Sequence, residues 1–173
     1  NNHYYNSGYI DFKVESVNST LSDDKEKIHI DIKISEGIQY KLGKVSFQGE
    51  LGNQTPDNLR ELLTIKTGDI FNFQEVVSDI QTITDVYTDQ GYAFVNINPI
   101  TKDILDTVDV NIDISLNKKV YVNRITISGN TRTQDEVIRR EIGISEGGLY
   151  SRSVLRNSVI KLKRLGYFSD VQM

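Results

Sequence analysis

An internal repeat of roughly 80 residues constrains the fold of this chain more than any other feature of its sequence. The stretch IHIDIKIS at 28–35 corresponds to VDVNIDIS at 108–115 at an offset of 80, and LLTIKTGDIF at 62–71 corresponds to EIGISEGGLY at 141–150 at an offset of 79. A Gly-Tyr pair also recurs, beginning at residues 8, 91 and 166. Each copy of such a unit is small, so its core has to be shared among few elements.

The complete copy has the order strand, helix, helix, strand, strand. Alternating apolar residues predict a first strand at 43–49, a second at 92–100 and a third at 108–114. Strict alternation means that one face of the sheet is buried and the other is polar, so the helix pair must cover one face. The predicted fold class is α+β, with tandem β-α-α-β-β units, each a small three-stranded mixed sheet covered on one face by two helices.

Capping signals place the helices of both copies. Pro56 after Thr55 predicts the first helix of the complete copy, and Asn72 predicts the start of the second. In the last copy, Thr133 and Ser151 predict the corresponding helix starts. The second helix of the complete copy is predicted to bury a stripe of apolar residues, namely Val76, Val77, Ile80, Ile83 and Tyr87.

The repeat predicts three segments. Residues 1–37 are the C-terminal part of a preceding unit, with a helix end and two strands. Residues 38–117 are a complete unit. Residues 118–173 are a last unit that contains a strand, two helices and the beginning of a second strand but lacks its final strand. Each Gly-Tyr pair is predicted to join a second helix to a second strand, with the glycine ending the helix in a left-handed conformation.

Composition excludes several classes of function. The net charge of −4 and the absence of a basic run argue against a nucleic-acid partner. With no cysteine, the chain has no thiolate metal site and no cysteine nucleophile. No catalytic motif is present, and the aspartates of DILDTVDVNID at 103–113 fit a turn and the polar face of a strand better than a cation site. We expect no enzyme activity, no metal and no cofactor.

The order of these elements resembles a known family. The stretches YKLGKVSFQG at 40–49 and ISGNTRTQDEVIRREIGISEGGLYSRSVLRNSVIKLKRLGYFSDV at 127–171 look like POTRA (polypeptide-transport-associated) domains. In tandem they resemble the periplasmic arm of BamA-type outer-membrane assembly proteins, with the end of domain three followed by domains four and five. The resemblance implies a scaffold in the periplasm rather than a catalyst.

Several partners follow from this resemblance. They are unfolded outer-membrane β-barrel proteins, accessory lipoproteins of the assembly machinery, and a membrane barrel further along the same chain. The lipoprotein surface would involve Arg139, Arg140, Glu146 and Gly147. POTRA arms also occur in two-partner secretion transporters and in organelle import channels, and these remain the alternative functions.

The mechanism expected of such an arm is β-augmentation, in which an extended client adds a strand to an exposed sheet edge through its backbone. The second strand of each unit is the candidate edge, and Pro99 should limit pairing at its end. The competing interpretation is that neighbouring units simply protect these edges. The candidate pairing residues are Ile10, Phe12, Val14, Ala93, Val95 and Ile97.

Overall fold

The computed structural model describes residues 2–23 and 25–173 and contains both helices and strands. The elements in chain order are α1 (Asn2–Asn6), β1 (Lys13–Leu21), β2 (Ile28–Ser35), β3 (Lys41–Gly49), α2 (Pro56–Glu61), α3 (Phe73–Asp89), β4 (Asn96–Ile104), β5 (Thr107–Ser115), α4 (Asp135–Glu141) and α5 (Arg152–Arg164).

The central copy forms the predicted mixed sheet, with strand order β3-β5-β4. The Lys44 N–H donates to the Asp109 carboxylate at 2.6 Å, and Ser46 bonds to Asn111 at 3.2 Å. Both pairs are 65 residues apart, and a constant separation means that β3 and β5 run parallel. β4 and β5 are joined by a two-residue turn and therefore run antiparallel. β5 is the central strand, and β4 is an edge.

The chain divides into two compact units that interleave along the sequence. The first contains Asn1–Phe47, Leu63–Asp79 and Pro99–Ile112, and the second contains Gln48–Leu62, Ile80–Asn98 and Asp113–Met173. The core of the first unit includes Leu42, Phe71, Val76, Val108, Val110 and Ile112, and that of the second includes Leu59, Ile83, Tyr87, Ile114, Ile138 and Leu162.

Caps on the helices largely follow the sequence signals. Thr55 accepts the Asn58 N–H at the start of α2, and Asn72 accepts the Gln74 N–H before α3. Ser151 caps α5 through the Val154 N–H at 3.3 Å.

Two helix predictions are wrong. The N-cap of α4 is Gln134 rather than Thr133, and it makes no side-chain cap bond. The Thr133 carbonyl instead accepts the Asn130 amide at 3.1 Å, which delays the start of the helix by one residue. Val77 is 40% exposed although Val76 is buried, because neighbouring positions lie 100° apart on a helix and only one faces the core.

The strands after the first two Gly-Tyr pairs begin later than predicted. Ile10 lies in a turn and β1 starts at Lys13, while Ala93 lies in a turn and β4 starts at Asn96. The Ala93 N–H donates to the Gly91 carbonyl, and the Val95 N–H donates to the Tyr92 carbonyl at 3.1 Å. A turn therefore follows each glycine before the chain becomes extended.

β1 and β2 form a two-stranded antiparallel sheet whose predicted buried face is exposed. The isoleucines of β2, residues 28, 30, 32 and 34, are 38–66% exposed, whereas the repeat-equivalent residues of β5, Val108, Val110, Ile112 and Ile114, are 0–1% exposed. The physical reason is that no helix among residues 2–23 and 25–173 packs across these isoleucines.

A β-bulge in β1, which the sequence analysis did not anticipate, accounts for the spacing of its valines. The register shifts between Val14 and Ser16, so that Val14 lies opposite Ile34 and Val17 lies opposite Ile32. Without the shift, residues three apart would face opposite sides of the sheet. The bulge at Glu15 therefore brings both valines to the isoleucine face.

The last copy has both helices but not its predicted strands. Between residues 118 and 173, all of which the structure describes, pairing is limited to an isolated bridge between Tyr121 and Leu149. In the central copy β3 forms its ladder with β5, about 65 residues further along. Residues 118–173 provide no equivalent partner for the segment after Tyr121, and a strand requires a partner for its backbone groups.

Candidate protein-binding sites

The first two Gly-Tyr pairs are corners on which the next segment of chain is hydrogen-bonded. The Gly8 carbonyl accepts the Tyr40 N–H at 2.8 Å, and the Gly91 carbonyl accepts the Val120 N–H at 2.9 Å. Tyr40 and Val120 occupy equivalent places in the repeat, at an offset of 80. The corner therefore ties the end of one copy to the start of the next in the same way twice.

Close packing explains why the corner residue is glycine. Gly8 and Gly91 have φ of +84° and +94°, a region that other residues resist. An added Cβ would lie 2.9 Å from Ile70 at Gly8 and 2.5 Å from Leu149 at Gly91. Ile70 and Leu149 are again equivalent, at an offset of 79. Both the backbone conformation and an aliphatic neighbour therefore require glycine.

A second connection in the second compact unit joins the end of α3 to the start of α5. The Asp89 carboxylate accepts the Ser151 hydroxyl at 2.9 Å and the Ser153 N–H at 2.8 Å. Burial alone would raise the pKa of Asp89, but hydrogen bonds from Ser153, Ser151 and the Arg152 backbone outweigh it, so the pKa lies below its ordinary value. The ionised carboxylate also suits the positive end of α5.

A buried polar pair repeats inside the two copies, and the sequence analysis did not identify it. The Asp79 carboxylate, 1% exposed, accepts the N–H groups of Thr64 and Ile65 at 2.9–3.1 Å. At an offset of 79, Ser158 accepts the Gly143 N–H at 2.9 Å. Each side chain satisfies the backbone of the loop that follows the first helix of its copy. The repeat could have pointed to this pair, because its offset of 79 aligns Asp79 with Ser158, two polar residues on the second helix of their copies.

The edge of β4 presents backbone groups in an alternating pattern. A proline is tolerated in an edge strand where its nitrogen faces away from the neighbouring strand, which places the outward side at Pro99. The two-residue turn between β4 and β5 implies the same parity, because the residues that flank such a turn, here Ile104 and Thr107, ordinarily form a hydrogen-bonded pair. The residues that direct backbone groups outward are therefore Ile97, Thr101 and Asp103, with only a carbonyl at Pro99.

The six predicted pairing residues differ in their structural settings. Val14 and Ile97 lie in strands. Ile10 is in a turn, and the Phe12 ring is stacked on Tyr4 with centroids 3.9 Å apart. The N–H groups of Ala93 and Val95 are already bonded within their own turn. Of these six residues, only Ile97 lies in β4, and its backbone groups face outward from the edge.

The four residues predicted to dock a lipoprotein lie together around α4, but two of them hold the chain internally. Arg139 donates to the Ile125 carbonyl at 2.9 Å, and Glu146 accepts the Ile125 N–H at 2.9 Å. The hydrogen bond from Arg139 to Asp135 is the main reason that its pKa is raised. Both side chains therefore occupy backbone groups of the segment that was predicted to be a strand.

The other two residues have different roles. Arg140 pairs only loosely with Glu141, at 3.5 Å, and its side chain is 73% exposed. The Gly147 N–H donates to the Val122 carbonyl at 2.6 Å. Arg140 is therefore the residue of the four that is most available to a partner.

Metal sites and membrane-spanning helices are two further features to consider in the described part of the chain, 2–23 and 25–173. No group of three or more histidine, aspartate or glutamate side chains there is arranged to hold a metal ion. No helix in these ranges has the length and apolar character needed to cross a membrane.

Comparisons with known proteins agree with this architecture. A POTRA family model, described as a surface antigen variable number repeat, matches residues 40–118 and 120–173. The outer membrane protein assembly factor BamA of Neisseria meningitidis serogroup B is 35% identical over 98% of this chain, and BamA of Neorickettsia risticii is 34% identical over 97%. The chain spans 22% and 23% of the lengths of these two relatives.

Two solved structures have a similar fold. The crystal structure of POTRA domains 3–5 of Haemophilus influenzae BamA covers 99% of this chain with a TM-score of 0.77 at 25% identity, and the chain covers 68% of it. Haemophilus ducreyi BamA lacking POTRA domains 1–3 covers 78% of this chain with a TM-score of 0.67 at 28% identity, and the chain covers 26% of it.

Proposed function

Because the chain belongs to the POTRA family, we propose that it is the periplasmic arm of an outer-membrane assembly factor that receives unfolded β-barrel proteins by β-augmentation and docks accessory lipoproteins. The names of the relatives support this function over the arm of a two-partner secretion transporter or an organelle import channel. The observation that carries the proposal is that β4 lies at the edge of its sheet, and the parity inferred from Pro99 directs the backbone groups of Ile97, Thr101 and Asp103 outward.

Backbone pairing suits a receiver of many different sequences. A barrel protein before insertion is an extended chain whose side chains vary, whereas its N–H and C=O groups do not. Each new backbone hydrogen bond contributes about 0.5–1.5 kcal/mol net, and the ordering of the client offsets much of this. Binding is therefore weak and reversible, as a step that passes the client onward requires.

β4 is a better receiving edge than β1. Among residues 2–23 and 25–173, each of these strands pairs with one neighbour, β5 or β2 respectively. The bulge at Glu15 interrupts the pairing register of β1, and bulges are a common means of discouraging edge pairing. On β4, Pro99 removes one donor but leaves the stretch from Ile100 to Ile104 unbroken.

Residue-level amide hydrogen exchange tests the client proposal. An excess of a peptide copied from a bacterial outer-membrane β-strand should slow exchange at Ile97, Thr101 and Asp103. Exchange at Asn98, Ile100 and Lys102 should change little, because the same parity directs their backbone groups toward β5. A peptide with alternate residues changed to proline is the matched control and should have no effect. Protection that ignores this alternation, or that persists with the proline peptide, would contradict pairing at this edge.

For the lipoprotein surface we propose that Arg140 makes direct contact, while Arg139 and Glu146 hold the segment around Ile125 in place. Gly147 is bonded to the same segment, because its N–H donates to the Val122 carbonyl.

Arg140→Ala should therefore lower the affinity for an accessory lipoprotein of the assembly machinery and leave the melting temperature unchanged. Arg139→Ala should lower both the affinity and the melting temperature, because it removes the hydrogen bond to the Ile125 carbonyl that holds this segment in place. Titration calorimetry measures the affinity of each variant, and thermal unfolding measures its stability. Equal affinities for wild type and Arg140→Ala would refute the direct contact.

A further inference from the structure

We propose that the third Gly-Tyr corner, Gly166-Tyr167, is a docking point for the polypeptide that continues after Met173, and that the Gly166 carbonyl accepts a backbone N–H from it. This inference concerns the connection to the next segment and does not depend on client binding.

The third corner shares the left-handed glycine and its helix-ending hydrogen bond with the two that are occupied. Gly166 has φ of +69°, in the same left-handed region as Gly8 and Gly91. The Gly166 N–H donates to the Lys163 carbonyl three residues earlier, at 3.2 Å, just as the Gly91 N–H donates to the Thr88 carbonyl at 3.2 Å. The end of α5 therefore presents the same carbonyl as the end of α3.

The third corner differs in what packs against it. An added Cβ at Gly166 would meet nothing within 4 Å, whereas at Gly8 and Gly91 it would collide with the next segment. Tyr167 is 65% exposed, whereas the rings of Tyr9 and Tyr92 are half-buried. A helix C-cap alone would explain the glycine. It does not explain a tyrosine held in the open at the place where two other copies cover theirs.

The two occupied corners specify the occupant. Tyr40 follows Gly8 by 32 residues, and Val120 follows Gly91 by 29 residues. The equivalent donor for Gly166 would lie 29 to 32 residues downstream, at about positions 195–198. A solved relative has such a segment, since this chain covers only 26% of Haemophilus ducreyi BamA lacking POTRA domains 1–3, a protein that begins after its first three domains. The occupant is therefore the start of the module that follows the last copy in the same polypeptide.

Hydrogen exchange on the full-length protein, in wild type and three glycine variants, tests this proposal. Gly166→Ala adds the Cβ that a docked segment would exclude. Gly129→Ala is the matched control, because Gly129 has φ of +85° and also has nothing within 4 Å. Gly91→Ala is the reference for a corner that is known to be occupied, with the Val120 amide as its reporter.

The expected result is a protected amide at positions 195–198 in the wild type that exchanges at least tenfold faster in Gly166→Ala and is unchanged in Gly129→Ala. Gly91→Ala should accelerate exchange at Val120 to a similar extent. The proposal is overturned if the wild type has no protected amide in this window, or if Gly166→Ala leaves it unchanged. It is equally overturned if Gly129→Ala has as large an effect, since backbone strain rather than docking would then be the cause.

Discussion

At the scale of single residues, the glycine corners connect one copy to the next, and the buried acceptors satisfy a loop inside each copy. Gly91 is required twice over, by its positive φ and by its contact with Leu149. Asp79 and Ser158 both accept hydrogen bonds from a loop backbone. The Asp79 carboxylate accepts two N–H groups, whereas the Ser158 hydroxyl accepts one. Neither the need for glycine at the corner nor the need for a buried acceptor is visible in a single copy of the sequence.

Gly91→Ala should destabilise the chain more than Gly68→Ala. The two glycines have nearly equal φ of +94° and +96°, so both variants should lose about 1–2 kcal/mol from the left-handed conformation. Only Gly91→Ala adds a collision, with Leu149, which should cost roughly a further 1–3 kcal/mol. Urea unfolding measures both free energies. Adding Leu149→Ala to each variant should reduce the difference between them, and a difference that stays the same would show that the contact is not its cause.

Asp79→Ala should be more destabilising than Ser158→Ala. Removal of Ser158 leaves one loop N–H without its partner, at about 1–3 kcal/mol, while removal of Asp79 leaves two such groups. Thermal and urea unfolding would test this order. Asp31→Ala, on an exposed strand position, is the control and should stay within about 0.5 kcal/mol of wild type.

At the scale of elements, the ends of α3 and α5 are connected through one carboxylate. Asp89 lies at the end of α3, and its hydrogen bonds run to Ser151 and Ser153 at the start of α5. Arg152 adds an exposed ion pair to Asp85 at 3.6 Å. The hydrogen-bonded carboxylate should matter more than this pair, because exposed ion pairs contribute little.

The contribution of Asp89 should depend on pH with a definite sign. Its pKa is lower in the folded state than in the unfolded state, so its stabilisation is fully present above the unfolded value, near 3.8, and is lost as the pH falls through the folded value. The difference in free energy of unfolding between wild type and Asp89→Asn should be constant from about pH 5 to 8 and should shrink below about pH 4. Asp85→Asn should show a smaller difference throughout. A wild-type advantage that persists unchanged at pH 3 would contradict the assignment.

At the scale of the whole molecule, the repeat predicted the order of elements and the mixed sheet because both follow from local patterns that occur twice. What it could not predict depends on partners that are distant in sequence. The isoleucines of β2 have the pattern of a buried strand, but burial requires a covering helix, and β2 has none within the described residues. The segment after Tyr121 has a strand pattern too, but a strand also requires a neighbour.

The candidate sites show the same division. The sequence predicted a pairing edge in the strand after Gly91 and a docking surface around Arg139, but it could not show that the N–H groups of Ala93 and Val95 are used in a turn. Nor could it show that Arg139 and Glu146 bind the backbone of Ile125. Composition and spacing identify residues that are able to bind, whereas the fold determines which of them are already occupied.

A cysteine scan tests most directly our proposal that clients add a strand to the β4 edge. The chain contains no cysteine, so each single substitution from Asn96 to Ile104, omitting Pro99, provides one unambiguous thiol. A client peptide with one cysteine in an alternating sequence is then allowed to form a disulfide with each variant. The same scan along β5, the central strand, is the control.

We predict disulfide yields that alternate along β4, because a paired strand brings its cysteine to one face of the sheet only. Moving the peptide cysteine by one residue should move the pattern by one position. Uniform yields along β4, or yields along β5 that match them, would contradict the claim that this edge receives the client.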